Sequence, residues 1–212
     1  MNARIKKAKP NPVGNPLSSA SVVSGDEPYR PTTDTAFDIE TAPLTSDGDS
    51  LLSAETARVA AIGYYEAAGN KVVIAYDQDE AAMLRQFWSA FISIQAHGAK
   101  LLGFNSQGFD LPFLIRRSWH HGVPVPRTLM SSGGRYWCET IVDLMILWRC
   151  GSYKDFISLD NFAKFLGVGQ KNGSGELFYL AWQKDRQAAI DYLTNDVRLV
   201  IDCARQMNLC PC

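Results

Sequence analysis

Residues 35–41 read TAFDIET, and polar and apolar positions alternate through them as in a β-strand. Successive side chains of a strand point to opposite faces. Asp38 and Glu40 therefore share one face, while Phe37 and Ile39 share the other. Two carboxylates side by side in an apolar strand pattern mean either a wet face or something that binds them both.

Residues 1–33 hold five prolines (Pro10, Pro12, Pro16, Pro28 and Pro31), with glycine and serine and few apolar residues. This composition predicts a disordered N-terminal arm over 1–33 and an ordered domain over 34–212. Downstream of the TAFDIE strand, RVAAIGYYEA (58–67) and KVVIAY (71–76) read as two more strands joined by a turn at AGN. DEAAMLRQFWSAFISI (79–94) has acids in its first turn and apolar residues at Met83, Phe87, Phe91 and Ile94, a helical spacing. AKLLGFN (99–105) reads as a strand buried on both faces. DLPFLIRRSWHHG (110–122) reads as a helix with Asp110 at its cap and Pro112 in its first turn. TIVDLMILW (140–148) fits either strand or helix, while SLDNFAKFLGV and the segment from Asp185 to Met207 read as helices. The order strand, hairpin, helix, strand, helix, then further helices predicts one α/β domain with a mixed sheet. GQKNGSGE (169–176) lacks the lysine pattern of a phosphate-binding loop and reads as a flexible loop that touches substrate through Lys171.

Composition narrows the class. In 212 residues, 46% hydrophobic and 20% charged is ordinary for a globular chain with a core, and no run of 18 apolar residues suggests a membrane span. The basic N-terminus runs into PNPVGNPLSSAS and not into an apolar segment, so it does not read as a secretory signal. Cys138, Cys150, Cys203, Cys210 and Cys212 are scattered and odd in number, which predicts free thiols and a reducing, cytoplasmic location. The terminal CPC is a weak metal signal. A net charge of −1 excludes a protein that coats nucleic acid by charge alone, so a polyanion has to be gripped locally or through metal ions.

The acids separate by position. On a 100° helical wheel, Ile190, Leu193, Val197, Val200, Ile201 and Ala204 form one apolar stripe, and Asp191, Asn195, Arg198, Asp202 and Arg205 the opposite polar arc. Asp196 lies about 80° from the stripe centre on the other flank, beside Tyr192, which predicts a half-buried acid with a partner. Asp191 and Asp202 read as solvated surface. Asp110 alone is explained by capping, and Asp38 and Glu40 alone by a wet strand face. Together, however, these acids lie at strand ends or on the helices that follow, where α/β sheets place ligands. Four acids in one cleft need cations to stay ionised, and their hard oxygens suit Mg²⁺ or Mn²⁺.

FDIET, GFNSQGFDLPFL and YLTNDV resemble the three motifs of the DEDD, or DnaQ-like, superfamily of 3′–5′ exonucleases. Tyr192 and Asp196, spaced Tyr-x-x-x-Asp, place the resemblance in the tyrosine subgroup, near the proofreading domain of family B DNA polymerases. It covers residues 34–207 and implies a ribonuclease-H-like fold with a five-stranded mixed sheet, its second strand antiparallel, flanked by helices. It implies Asp38, Glu40, Asp110 and Asp196 as ligands of two divalent ions, with Asp38 bridging, Glu40 and Asp196 completing one site and Asp110 serving the other. Tyr192 would orient or help deprotonate the attacking water. Asn105, Phe109, Thr41 and Lys171 would contact the terminal nucleotides, although Phe109 is equally explained as core. Arg116, Arg117 and Lys164 would join Lys171 as phosphate contacts. The implied function is a stand-alone exonuclease acting on 3′ ends, single-stranded DNA before RNA, with release of 5′-mononucleotides and no membrane association. An exoribonuclease and a non-catalytic nucleic-acid-binding module of the same fold are the alternatives, and a polymerase, helicase or repair partner is left open.

Overall fold

The computed structural model describes residues 20–23, 30–45, 50–67, 70–76, 79–130, 138–172 and 178–210. In chain order the strands are β1 (Ser21–Val23), β2 (Thr35–Pro43), β3 (Ala57–Glu66), β4 (Lys71–Ala75), β5 (Leu101–Gly103) and β6 (Ile141–Asp143). The helices are α1 (Glu80–Ala96), α2 (Asp110–His120), α3 (Arg127–Met130), α4 (Leu144–Trp148), α5 (Leu159–Leu166), α6 (Phe178–Lys184) and α7 (Arg186–Gln206).

The sheet runs β1-β4-β3-β2-β5-β6. β3 is antiparallel to both β2 and β4, while β2, β5 and β6 are parallel to one another. Strands β2 to β6 are the five-stranded mixed sheet that the resemblance implies. A sixth, β1, pairs parallel with β4 from Ser21↔Val73 to Val23↔Ala75. Three residues of the segment read as a disordered arm thus extend the sheet, because β4 has an open edge of backbone donors and acceptors that any extended segment can satisfy. Most of the arm lies outside the described residues, as do part of the Gly-rich loop and Cys212.

Each face of the sheet carries its own core. Phe37, Ile39, Val59 and Tyr64 pack with Phe87 and Phe91 of α1 and Leu111 and Phe113 of α2. Ala36, Ala42, Ala61 and Leu102 pack on the other face with Leu193, Val197 and Val200 of α7 and Phe162 of α5. The strand alternation therefore sends Asp38 and Glu40 to the α7 face. Gly63, opposite Asp38 in the ladder, lets α7 come close: a Cβ there would sit 2.7 Å from Val197 Cγ2. Without that gap the helix carrying Tyr192 and Asp196 would ride higher above the strand.

TIVDLMILW resolves into both of its readings. Its first part is β6, and α4 starts where the Asp143 carboxylate accepts the Met145 amide at 2.9 Å. Asp79, Ser158 and Asp185 likewise cap α1, α5 and α7 by accepting amides of their first turns, and Gly167 ends α5 in the left-handed region at φ 72°.

Candidate active site

The site opens where β2 and β5 part. They pair only at Thr35↔Leu101 and Ala36↔Leu102, so the C-terminal half of β2 lacks a partner on that side. This is the point where strand order reverses, the usual crevice for a ligand in an α/β sheet. A cleft of about 960 Å³ lies here, lined by Asp38, Glu40, Asp110, Lys171, Tyr192 and Asp196 among others.

β2 supplies Asp38 and Glu40. The ladder skips a residue after Glu40: Glu40 faces Ala61 and Thr41 faces Val59, so Ala60 bulges from β3. A bulge bends and twists the pair locally, re-aiming the side chains beside it. Thr41, buried just past it, donates its hydroxyl to the Leu51 carbonyl at 2.8 Å, tying β2 to the loop whose Leu51 and Leu52 form one lip of the cleft. The hydroxyl is committed to the lip, so Thr41 shapes the cleft through that bond.

Motif GFNSQGFD folds as a turn leading into α2. Asn105 adopts φ 57°, a left-handed conformation that asparagine tolerates, and its carbonyl accepts the Gly108 and Phe109 amides. Asp143 Oδ1 accepts the Asn105 amide at 2.9 Å and Oδ2 the Gln107 amide at 2.8 Å. Asp110 is not the cap that its sequence position suggests. The helix begins on it, Phe109 is the cap residue without a side-chain bond, and Asp110 Oδ1 reaches across to accept the Ile39 amide at 3.3 Å. The free amide of unpaired β2 draws the carboxylate into the crevice. Phe109 is half-buried beside Phe113, with ring centroids 5.6 Å apart, and also lines the cleft, so the core and cleft readings both hold.

α7 supplies Tyr192 and Asp196, buried at 8% and 2% exposure, while Asp191 is exposed and Asp202 pairs with Arg205 at the surface. One oxygen each of Asp38, Glu40 and Asp196 falls within 4.8 Å of the others, a cluster able to hold a cation. Asp110 lines the same cleft outside that trio. Lys171 Nζ sits 2.6 Å from Asp196 Oδ2 and 5.1 Å from the centre of the Tyr192 ring. The loop residue expected to touch substrate is thus half-buried against the acids.

The electrostatics follow from crowding. Burial, then repulsion from Asp110, Glu40 and Asp196, raises the Asp38 carboxyl well above its ordinary range, with Lys171 opposing. Glu40 is raised likewise by burial and Asp196. Burial lifts Asp196 despite the charge and hydrogen bond of Lys171. Burial raises Asp110 to about 7, although the amides of Asp110 itself and of Ile39 pull it back. The Tyr192 phenol is pushed up by burial and by the negative charges of Asp196, Glu40 and Asp38.

Of the other expected phosphate contacts, Arg117 is corrected. Arg117 is buried at 3% exposure and holds Glu80 through two hydrogen bonds, of 2.9 and 2.6 Å, and donates to the Ala54 carbonyl at 3.1 Å. It braces α1, α2 and the loop leading to the lip. Lys164 pairs with Asp160, while Arg116 is exposed on α2. Asn105 lines the cleft. Asp143 is the residue that sequence reasoning passed over: as an aspartate preceding LMILW it announces a cap, but its bonds to a loop 38 residues earlier do not show in local pattern.

The family model described as "Predicted 3′–5′ exonuclease related to the exonuclease domain of PolB" matches residues 51–199, more than half of the chain. The chain belongs to this family. The match begins after β2 and does not include Asp38 or Glu40, which the fold brings beside Asp196 of the matched region. Among solved structures, the family B DNA polymerase from the hyperthermophilic archaeon Pyrobaculum calidifontis superposes with a TM-score of 0.61 at 22% identity, over 82% of this chain and 24% of the polymerase. The chain thus spans about a quarter of that polymerase. The Aedes aegypti Nibbler EXO domain superposes with a TM-score of 0.63 at 16% identity over 92% of both chains. These likenesses establish the ribonuclease-H-like fold. The chain matches no curated protein by sequence. No described helix is long and apolar enough to cross a membrane.

Proposed function

We propose that the chain is a metal-dependent 3′–5′ exonuclease that removes 5′-mononucleotides from single-stranded DNA. The observation that carries this reading is the convergence of Asp38, Glu40 and Asp196 within 4.8 Å in a cleft also lined by Asp110 and Tyr192. The donor set fits hard divalent cations. All its atoms are carboxylate oxygens, and Asp196 Oδ1 is buried without a hydrogen-bond partner, a cost that a cation would relieve. Asp38, Glu40 and Asp196 would hold one Mg²⁺ or Mn²⁺, and Asp38 with Asp110 a second. Such ions, when bound, make hydroxide accessible near neutral pH and stabilise charge on the attacking and leaving oxygens of a phosphoryl displacement.

The chain's own residues do the positioning. Tyr192, held as a neutral phenol by its acidic neighbours, orients the attacking water and does not take its proton. Asn105, Phe109 and Leu52 line the approach of the terminal nucleotides. Lys171 adds the positive charge that a protein of net charge −1 otherwise lacks beside a phosphate. A site enclosed by four acids admits a splayed strand more readily than a paired end, whose opening costs energy. The preference for DNA rests on the likeness to polymerase exonuclease domains, with RNA the alternative. A cytoplasmic setting and a polymerase, helicase or repair partner belong to the same reading.

Digestion of end-labelled DNA and RNA oligonucleotides with Mg²⁺, Mn²⁺ or EDTA tests it. Stepwise shortening of single-stranded DNA from the 3′ end, abolished by EDTA, is expected. Absence of cleavage with either metal would leave the binding-module reading, and equal or faster cutting of RNA would overturn the DNA preference.

A further inference from the structure

The segment between α4 and α5 carries two of the most exposed aromatic side chains in the described structure, Tyr153 at 85% and Phe156 at 70% exposure. Neither belongs to a core cluster. Leaving such rings in water costs free energy that a bound planar group would recover. The backbone that presents them is held locally: the Ser152 amide donates to the Arg149 carbonyl at 2.7 Å and the Phe156 amide to the Lys154 carbonyl at 3.1 Å. The turn that launches it uses left-handed conformations at Cys150, φ 46°, and Gly151, φ 89°.

Three features say what covers these rings. The first is continuity, because Ile157, Ser158 and Leu159, which directly follow Phe156, form a wall of the acidic cleft. One trans peptide, about 3.8 Å between Cα atoms, separates the exposed ring's backbone from that wall. The second is charge. The Arg149 guanidinium lies 4.2 Å from the centre of the Phe156 ring, and Lys154 is exposed between the two aromatics. Asp155 is the segment's only acid. The third is geometry: Arg149 covers one face of Phe156, so a planar group would complete the stack on its open side.

We infer that Tyr153 and Phe156, with Arg149 and Lys154, form a stacking platform for the single-stranded nucleic acid upstream of the 3′ nucleotide held in the cleft. Alternating aromatic and basic side chains along a backbone track is the chemistry by which single strands are gripped without sequence preference. The inference rests on the exonuclease reading for the strand's direction, but its binding test does not need catalysis.

Fluorescence anisotropy with 5′-labelled oligothymidylates of two and eight nucleotides, in EDTA and with the full chain, measures the platform directly. The Tyr153→Ala/Phe156→Ala variant should bind the eight-mer about five- to a hundredfold more weakly than the parent and the two-mer equally. Trp119→Ala, which removes an exposed ring at the far end of α2, should change neither. With Mn²⁺, the gain in kcat/KM on lengthening the substrate should shrink in the double variant while two-mer cleavage persists. Equal eight-mer binding by parent and double variant overturns the platform and leaves the exonuclease reading standing. Equal weakening for both lengths also overturns it, because the rings would then serve the terminal nucleotide. A parent that binds with this length dependence yet cuts nothing keeps the platform and removes the exonuclease reading.

Discussion

Lys171 Nζ lies 2.6 Å from Asp196 Oδ2, with Asp196 only 3% and Lys171 24% exposed at the side chain. The ammonium therefore acts as the resident counter-charge of an acid cluster that would otherwise repel itself. Removing it should destabilise the metal-free protein, by less than the ~3–5 kcal/mol of a fully buried pair because water still reaches Lys171. For Lys171→Ala we expect the melting temperature in EDTA to fall by several degrees and to recover with Mn²⁺, which takes over the neutralisation. An unchanged melting temperature in EDTA would show that the pair contributes no stability.

Asp38 receives repulsion from Asp110, Glu40 and Asp196 at once. Asp38→Asn removes that charge at nearly constant volume. Nuclease activity should be abolished, while the melting temperature in EDTA at about pH 8 should rise as the unfavourable charge disappears. Near-parental cleavage by this variant would take Asp38 out of the metal-binding set.

The same shifts give stability a pH profile. Asp38, Glu40, Asp110 and Asp196 all hold their protons more tightly when folded. Their contribution is complete below the unfolded carboxylate values and is lost as pH rises through the folded ones, for Asp110 between 3.8 and about 7. Glu80 runs the other way. Burial raises it, but the bonds from Arg117, the Val59 amide and His121 win and hold it low, so its contribution is lost only on acidification. Calorimetry in EDTA should show the melting temperature falling from about pH 5 to about pH 8, and less steeply with Mn²⁺. A rise over that interval in EDTA would mean that the acids are not crowded in solution.

Much of this candidate site is legible in the sequence. Asp38 and Glu40 share a face because strand period is 2, and Asp196 departs from the polar arc of α7 because helix period is 3.6; both are local rules that tertiary packing respected. What local pattern hid was non-local. Asp110 looked like a cap because aspartate before an apolar run usually is one, yet the unpaired Ile39 amide, 71 residues away, was the better donor. Arg117 reads as a phosphate contact, and Lys171 as a loop residue free to reach substrate, because nothing in their neighbourhoods names the distant carboxylates of Glu80 and Asp196. Strand β1 was hidden in a proline-rich segment because the open edge of β4, not its own composition, orders it.

Tyr192→Phe should keep the fold and lose part of the rate. The phenol is raised by burial and by the surrounding carboxylates, so it works as a neutral hydroxyl that positions water, a role worth on the order of 10²–10⁴-fold at most. The loss should be smaller than for Asp38→Asn and uniform across pH 6 to pH 9 by this account, with ~10²-fold the expected size. A variant that matches the parent at every pH would reduce Tyr192 to packing.

The second motif is positioned through Asp143. Its Oδ1 accepts the amides of Asn105 and Met145, and its Oδ2 accepts that of Gln107. One carboxylate thus caps α4 and pins the turn that delivers Asp110 to the cleft. Hydrogen bonds to a charged acceptor contribute about 1.5–3 kcal/mol each, and a buried amide left unpaired costs a similar amount. Asp143→Asn keeps the shape but turns one acceptor into a donor that faces a backbone N–H, so at least one of these bonds must be lost. We expect destabilisation of about 2–3 kcal/mol, a drop in melting temperature of roughly 4–12 °C for a chain of this size, and larger losses for Asp143→Ala. Hydrogen exchange separates the positioning role from general weakening. The Asn105 and Gln107 amides should lose protection in Asp143→Asn while amides in the centre of β3 keep theirs, and cleavage should fall with kcat more than with KM. Retained protection at Asn105 and Gln107, with parental kcat, would show that the turn holds Asp110 in place without Asp143.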